Sequence, residues 1–557
     1  MRIDITELER GSCLDADVCV IGAGIAGISV TRRLMNSGLR VMLLESGGVD
    51  YDRAIQDLAS GESVGLPYYA LDEARLRLFG GTSAIWGGRV SEMDPIDFEP
   101  RPWVEHSGWP ISHDDLQPWI AEARRSLGVE PLGNDERLWP LLGATAPEFD
   151  QHLLRTAFWH FDLLPGRFSL QHCRDLVDAP DVTVVTRATV THLQARHDQG
   201  SIAQASIADP GGRRATVTAG KFVLAAGGLE NPRLLLASND VHARGLGNAY
   251  DLVGRYFMEH PHARGGRVDA TMPWRLLRLY SVKHRAPRQA MVAPCFRPGE
   301  ALQRRAGILN TSFALACRPH PGQQRSFALR AYQLAKHRLD PTQGNRRLWQ
   351  VARKVARRLS GLTDPLRPWL LARSGRCGLY AVVRAEQAPN PHSRVYLGGE
   401  RDALGIPRLV LDWRLSDIDK RSVRVTMRAF DSELQRLGLG HLTPEPWLND
   451  PDLPWQFDSS ISNHPVGGYH HMGTTRMADR PTRGVVDGNC RVFGMTNLYV
   501  AGSSTFATSG WANPTLTLMA LSLRLGAHLR RDARPGKALA TPATTTGPEP
   551  DAPIMTP

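Results

Sequence analysis

The chain has 557 residues and a formal net charge of +11, with the apolar content of a soluble globular protein. That length exceeds one ordinary core and implies two or more packed units. No run of about eighteen uncharged apolar residues reads as a membrane-spanning helix. Seven cysteines without a C-x-x-C pair, and an N-terminus with acids in place of an apolar signal core, point to a cytoplasmic chain with reduced thiols.

In chain order, residues 17–22, DVCVIG, form a short apolar run of the kind buried on both faces of a sheet. A helical pattern runs from Ile25 to Asn36 and stops at Ser37-Gly38, and RVMLLE is a second buried strand ending in Glu45. Residues 111–160 read as mixed and largely helical. DVTVVTRATVTHLQ from Asp181 alternates like β structure, and KFVLAAGGLENPRLLLAS from Lys221 reads as strand, glycine turn and helix. SRVYLGG and PRLVLDW are strand-like. NLYVAGSS from Asn497 is another buried strand, NPTLTLMALSLRLGAHL from Asn513 a helix, and 532–557 a Pro/Thr/Ala/Gly-rich segment that reads as a disordered tail.

The charge surplus is local. Residues 318–376 hold fourteen Lys/Arg against Asp340 and Asp364. A nucleic-acid surface would interleave such cations with stacking aromatics, so no nucleic-acid partner is expected. RRLWQVARKVARRLSGL instead places Leu348, Val351, Val355, Leu359 and Leu362 on one stripe of a basic amphipathic helix. The first reading is a solvated helical cap packed on a second domain. The second is a patch for a membrane surface or an acidic partner.

Gly22-Ala23-Gly24-Ile25-Ala26-Gly27 is G-x-G-x-x-G. It follows a buried strand, opens a helix, and is answered by Glu45 at the end of the next strand, which is the βαβ dinucleotide fingerprint. Glycines let the backbone close on a pyrophosphate, the helix N-terminus supplies free N–H groups, and Glu45 accepts from ribose hydroxyls. The fingerprint does not separate FAD from a nicotinamide dinucleotide. FGGTSAIWGG, Phe79 to Gly88, favours FAD, because its glycines permit close approach to a flat ligand. So does the return of a polar, His-rich loop hundreds of residues later, YHHMGTTRM from Tyr469.

Five pieces together resemble the glucose–methanol–choline (GMC) flavoprotein oxidoreductases. They are DADVCVIGAGIAGISVTRRL, GGTSAIWGG, FVLAAGGLENPRLLLAS, VGRYFMEHP, and the block from HHMGTTRM through VDGNCRVFGMTNLYVAGSSTF to ANPTLTLMAL. They run in the family's order from about Asp15 to Leu529, and are closest to the bacterial pyranose and glycoside oxidases and the fructose and gluconate dehydrogenase flavoproteins. The resemblance implies an α/β FAD-binding Rossmann-type domain built from discontinuous segments, plus an α+β substrate domain with a sheet over the flavin, as in p-hydroxybenzoate hydroxylase. The segments expected are 15–110, 175–265 and 465–531 for the FAD domain. The substrate domain takes 111–174 and 266–464, with the basic helical insertion at 318–376.

By the same resemblance, Gly22, Gly24, Gly27, Glu45, Gly81, Thr82, Trp86, Val190, Gly502, Asn513 and Thr515 hold FAD. His470 is the catalytic base and Asn513 its partner; His471 is a packing residue. A neutral imidazole is suited to take a hydroxyl proton near neutrality, and an amide does not compete for it. Asn513-Pro514 also reads as a helix N-cap with proline at the first helical position. His260 and His464 are expected to be loop or structural residues, with His464 near enough in sequence to line the pocket. Ile85 stands where pyranose 2-oxidase carries a histidyl tether, so FAD is expected to be non-covalent. No metal site is expected.

The implied activity is oxidation of an alcohol, first a secondary hydroxyl of a sugar, glycoside or polyol. The alternative is a primary alcohol, as in 6-position oxidation of an aminoglycoside. Readings of another class are a non-redox flavoprotein lyase and an electron-transfer subunit docked to a membrane or partner. The electron acceptor is oxygen, a quinone or a redox protein. Export with a partner subunit is an alternative to the cytoplasm.

Overall fold

The computed structural model describes residues 1–532 apart from 130–132, 134, 197–199, 288–289, 324–338 and 463. The tail expected at 532–557 lies outside the described residues except for Asp532, which ends the last helix.

Two eight-stranded sheets organise the chain. In the first, Cys13–Ile21 runs parallel to Val41–Leu44 on one side and to Arg214–Leu224 on the other. Val18, Cys19, Val20 and Ile21 are buried, as expected of a run with no polar face. Val182–Thr186 and Leu498–Val500 join it in parallel, whereas Thr189–Ala195 and Ile202–Ala208 are antiparallel. The helix Ile25–Leu34 packs on Thr515–Asp532, whose apolar residues are buried nearly all round.

The second sheet is antiparallel, ordered 440–444, 262–270, 378–384, 312–318, 291–298, 154–161, 89–90. The helix Asp417–Arg436 closes its core through Phe430, which meets Phe149, Phe296 and Phe313 at centroid distances of 4.9–6.3 Å. A third sheet joins Gly61–Gly65 to Pro407–Trp413 and Arg394–Arg401.

Several expected boundaries shift. Arg2–Asp4 already belongs to the first sheet, pairing with Val184, Val185 and Thr186. The helix His113–Leu127, expected in the substrate unit, packs on the last helix, and Leu116, Ile120, Ala123 and Leu127 enter the first core. Their spacing is one helical stripe, and a helix apolar all round offers it a second apolar wall. Residues 154–161, expected to be helical, form a strand: LRTAFWHF is buried on both faces, and such a run carries no helix period. His262–Ala270 lies wholly in the second sheet, so that unit begins a few residues earlier than 266.

The basic amphipathic helix forms over Gln343–Thr363. Its apolar stripe is not packed on the second domain: Leu348, Val351, Val355 and Leu362 are 60%, 61%, 52% and 84% exposed. Its N-terminal end is moored to the 50–53 loop, where the Gln343 N–H donates to Asp50 at 2.6 Å and Arg346 pairs with Asp50 at 3.4 Å. The carbons of Val351 and Leu362 are left at the cavity rim. Among the described residues no helix is long and apolar enough to cross a membrane.

Candidate active site

A cavity of about 2220 Å³ opens between the first sheet and the second. Gly22, Gly24, Glu45 and Gly502, which follow parallel strands, line it together with Val190 of the antiparallel strand Thr189–Ala195. Gly81, Thr82, Trp86, Asn513 and Thr515 line it further along, with His470. Of the residues expected to hold a dinucleotide, Gly27 alone is off the wall. A Cβ there would sit 1.9 Å from the Gly22 carbonyl oxygen, so this glycine lets the helix lie close on the strand turn.

The strand tips fit FAD. Gly22 has φ 109°, a left-handed conformation suited to glycine. A Cβ at Gly24 would meet nothing within 4 Å, so the helix N-terminus there faces open space. The buried Glu45 carboxylate accepts from the Ala23 N–H at 2.9 Å and the Gly47 N–H at 2.8 Å, which places it beside the turn where ribose hydroxyls are met. Burial raises its pKa, and the two N–H bonds oppose that rise.

The adjacent histidines point apart. Tyr469 adopts φ 59°, a positive value that is uncommon for a residue with a side chain, and this turns the chain just before them. His471 is buried and its Nε2 meets the Tyr68 hydroxyl at 3.0 Å. His470 faces the cavity, with Nε2 at 3.1 Å from Asn513 Nδ2 and Nδ1 at 2.7 Å from His260 Nδ1.

The tautomers follow from a carbonyl. His260 Nε2 lies 2.8 Å from the Gly510 oxygen, which can only accept, so His260 carries its proton on Nε2. Its Nδ1 is then an acceptor, and His470 donates to it from Nδ1. That leaves His470 Nε2 with a bare lone pair, which Asn513 fills by donating from its amide. Burial, with smaller contributions from His260, His262, Arg384 and His471, holds the His470 imidazole well below its usual pKa. Burial also brings His260 down to about 4 and His471 to about 3.

Residues 17–258 match the family model described as FAD dependent oxidoreductase, and residues 389–522 that described as GMC oxidoreductase. The chain is similar to the fructose dehydrogenase large subunit of Gluconobacter japonicus, at 23% identity over 94% of this chain and 99% of that protein. The chain is a GMC-type FAD-dependent oxidoreductase. Paromamine 6'-oxidase of Streptomyces fradiae is 25% identical over 91% of this chain and 90% of that one. The solved structure of Aspergillus oryzae formate oxidase shares the two-domain fold, with a TM-score of 0.55 at 14% identity over 94% of this chain and 99% of that chain.

In this GMC oxidoreductase three neighbours of His470 escape sequence reasoning. The Glu259 carboxylate, fully buried, accepts from the backbone N–H groups of His470 (3.0 Å), Gly468 (3.1 Å) and His260 (2.7 Å) and from the Tyr68 hydroxyl (2.7 Å). His260, read from sequence as a loop or structural residue, bonds His470 directly. His262 Nδ1 donates to the His464 carbonyl at 2.6 Å, and Arg384 donates to its Nε2 at 3.0 Å. One local signal existed: in EHPH, His260 and His262 are two apart, which in extended chain puts both on one face. His464 does line the cavity.

The GMC cradle yields a direct test. Gly27→Ala forces the first helix off the Gly22 carbonyl at a cost of about 1–3 kcal/mol. The purified variant is expected to lose most of its bound flavin, read as the 450 nm to 280 nm absorbance ratio.

Proposed function

We propose that this enzyme oxidises an alcohol, a hydroxyl of a sugar, glycoside or polyol, with His470 as the base. The observation that carries the reading is the directional chain from Asn513 through His470 and His260 to the Gly510 carbonyl. It presents a neutral, unprotonated Nε2 to the cavity beside a non-titrating amide. The relatives named fructose dehydrogenase, 2-methyl-1,2-propanediol dehydrogenase and paromamine 6'-oxidase support a hydroxyl compound as substrate.

The glycine turn, Glu45, the 80–86 loop and the start of the last helix would hold FAD, which would supply the hydride acceptor. Ile85 offers no nucleophile for a tether, which supports non-covalent FAD. A substrate hydroxyl entering between His470 and Asn513 replaces the amide as the donor to Nε2, and Asn513 turns its amide to the hydroxyl oxygen. Nε2 takes the hydroxyl proton as the carbinol hydrogen leaves with its electron pair. The resulting imidazolium keeps its Nδ1–H bond to His260, and the Glu259 carboxylate, 3.8 Å from Nδ1, stabilises the new positive charge. Because burial disfavours that cation, His470 stays neutral below its ordinary pKa of ~6.5, and the acid limb of flavin reduction lies below that pH.

A specific observation supports a peripheral membrane contact. The exposed stripe Leu348, Val351, Val355 and Leu362 shares its helix with a run of Arg and Lys, the pattern of a helix lying on an anionic lipid surface.

Three measurements check this reading. His470→Ala is expected to keep FAD, released by acid precipitation, and to lose substrate-driven bleaching under anaerobic conditions by about 10²–10⁴-fold, whereas His471→Ala keeps most of it. His260→Phe, which removes the acceptor that holds the His470 proton on Nδ1, slows bleaching about a hundredfold, and His260→Gln, with an accepting amide oxygen, recovers part. Vesicles containing phosphatidylserine are expected to sediment the protein at low salt, and Val351→Glu with Val355→Glu to abolish this.

A further inference from the structure

Two cations on the cavity wall have no matching acid. Arg89 begins the short strand Arg89–Val90, and Arg384 ends the strand Gly378–Arg384. Both line the cavity that holds His470 and Asn513. The Arg89 guanidinium lies 4.4 Å from the Trp159 ring centroid and 5.7 Å from that of Phe161, and Arg384 lies 5.8 Å from Trp159. Among the described residues, no carboxylate pairs with either. Arg384 spends one donor on His262 Nε2, but His262 already donates from Nδ1 to a carbonyl and is therefore a neutral acceptor. The neighbouring Cys295 thiol is pushed up by burial and supplies no thiolate.

The arginines buried elsewhere have carboxylate partners, Arg476 excepted. Arg101 is paired with Glu386 at 2.5 Å, Arg233 with Asp402 at 2.7 Å, Arg264 with Asp458 at 2.6 Å and Arg297 with Asp94 at 2.6 Å. Arg476 also lacks a carboxylate, but it donates to the His106 carbonyl, lies over Tyr256, and is not on the cavity wall. Both residues are half-buried, and a partly desolvated guanidinium without a counter-ion is disfavoured. Burial draws Arg89 down to about 10 and Arg384 well below its usual value, yet arginine keeps its proton in proteins. The uncompensated charge therefore faces the space that substrate enters. Guanidinium forks match carboxylate oxygens in pairs.

We infer that the hydroxyl compound oxidised here is itself an acid, a sugar or polyol bearing a carboxylate that Arg384 and Arg89 bind while its hydroxyl meets His470. This rests on the alcohol-oxidation reading above, and it adds the charge of the substrate. Arg384 and Arg89 select the substrate. They do not enter the proton transfer.

The test separates binding from turnover. Succinate, a dicarboxylate with no hydroxyl to oxidise, is titrated into the flavin-loaded enzyme, with binding read by calorimetry and by the flavin difference spectrum. Succinamide is the neutral control. Succinate is expected to bind at least tenfold more tightly than succinamide, with an affinity that falls as salt rises. Arg384→Met and, separately, Arg89→Gln are expected to weaken it at least tenfold while retaining the 450 nm flavin band. Anaerobic bleaching then compares glucose with gluconate and glucuronate. A sugar acid is expected to show at least tenfold higher kcat/KM than glucose, lost in Arg384→Met through KM. Equal binding of succinate and succinamide, or succinate binding that survives both substitutions, overturns the anion site. A glucose preference in the wild-type enzyme overturns the acidic substrate. Arginine-dependent succinate binding with no bleaching by any hydroxyl compound keeps the anion site and removes the alcohol-oxidation reading instead.

Discussion

The buried carboxylate of Glu259 joins the two halves of the active site. It receives N–H groups from Gly468, His470 and its own neighbour His260, and a hydroxyl from Tyr68. A carboxylate with no exposure is tolerable only when its lone pairs are filled, and here four donors fill them. The bonds tie the loop leading into the second sheet to the turn that follows it by some two hundred residues. They fix where the His470 backbone sits, and with it the distance between His470 and His260. The anchored groups Gly468 and His470 flank Tyr469, whose φ is positive and whose ring packs on Tyr69.

The electrostatics of the cavity follow from the same burial. The histidines are kept neutral chiefly because burial removes water from the charged form, and for His470 the neighbouring His260, His262 and Arg384 act in the same direction. Glu259 lies near, but its charge is absorbed by backbone N–H groups, and it stands 3.8 Å from the imidazole nitrogen. The site thus combines an uncharged imidazole with a cationic wall at Arg89 and Arg384. Most arginines buried elsewhere are matched by acids, as Arg101 is by Glu386, and Arg476, which is not, lies off the cavity wall.

The dinucleotide cradle was legible because it is local. Strand, glycine turn, helix and acid all lie within residues 17–45, and the chain needs only short-range geometry to bring them together. The glycine loop at 80–88 and the helix after Asn513 were legible for the same reason, since each motif is a single turn. The amphipathic pattern at 343–363 correctly marked a helix. It did not tell which way the stripe faces, because periodicity defines a face and tertiary contacts decide what covers it. The helix His113–Leu127 shows the same limit. Its stripe was readable, and the partner that buries it was not.

The sequence by itself determined the FAD fold, the identity of the cofactor turn, and His470 and Asn513 as neighbours of one cavity. Tertiary structure alone decided what surrounds them. His260 and His470 are 210 residues apart, and Arg384 reaches His262 across 122. Arg384 and His262 meet because their strands are paired in register, and His260 meets His470 where separate loops converge; nothing in the local pattern of either segment encodes the other. The imidazole tautomer depends on which carbonyl its neighbour meets. The charge of the wall depends on which arginines find no acid. Both are properties of assembled neighbours, and they exist only once the sheets have closed over the cavity.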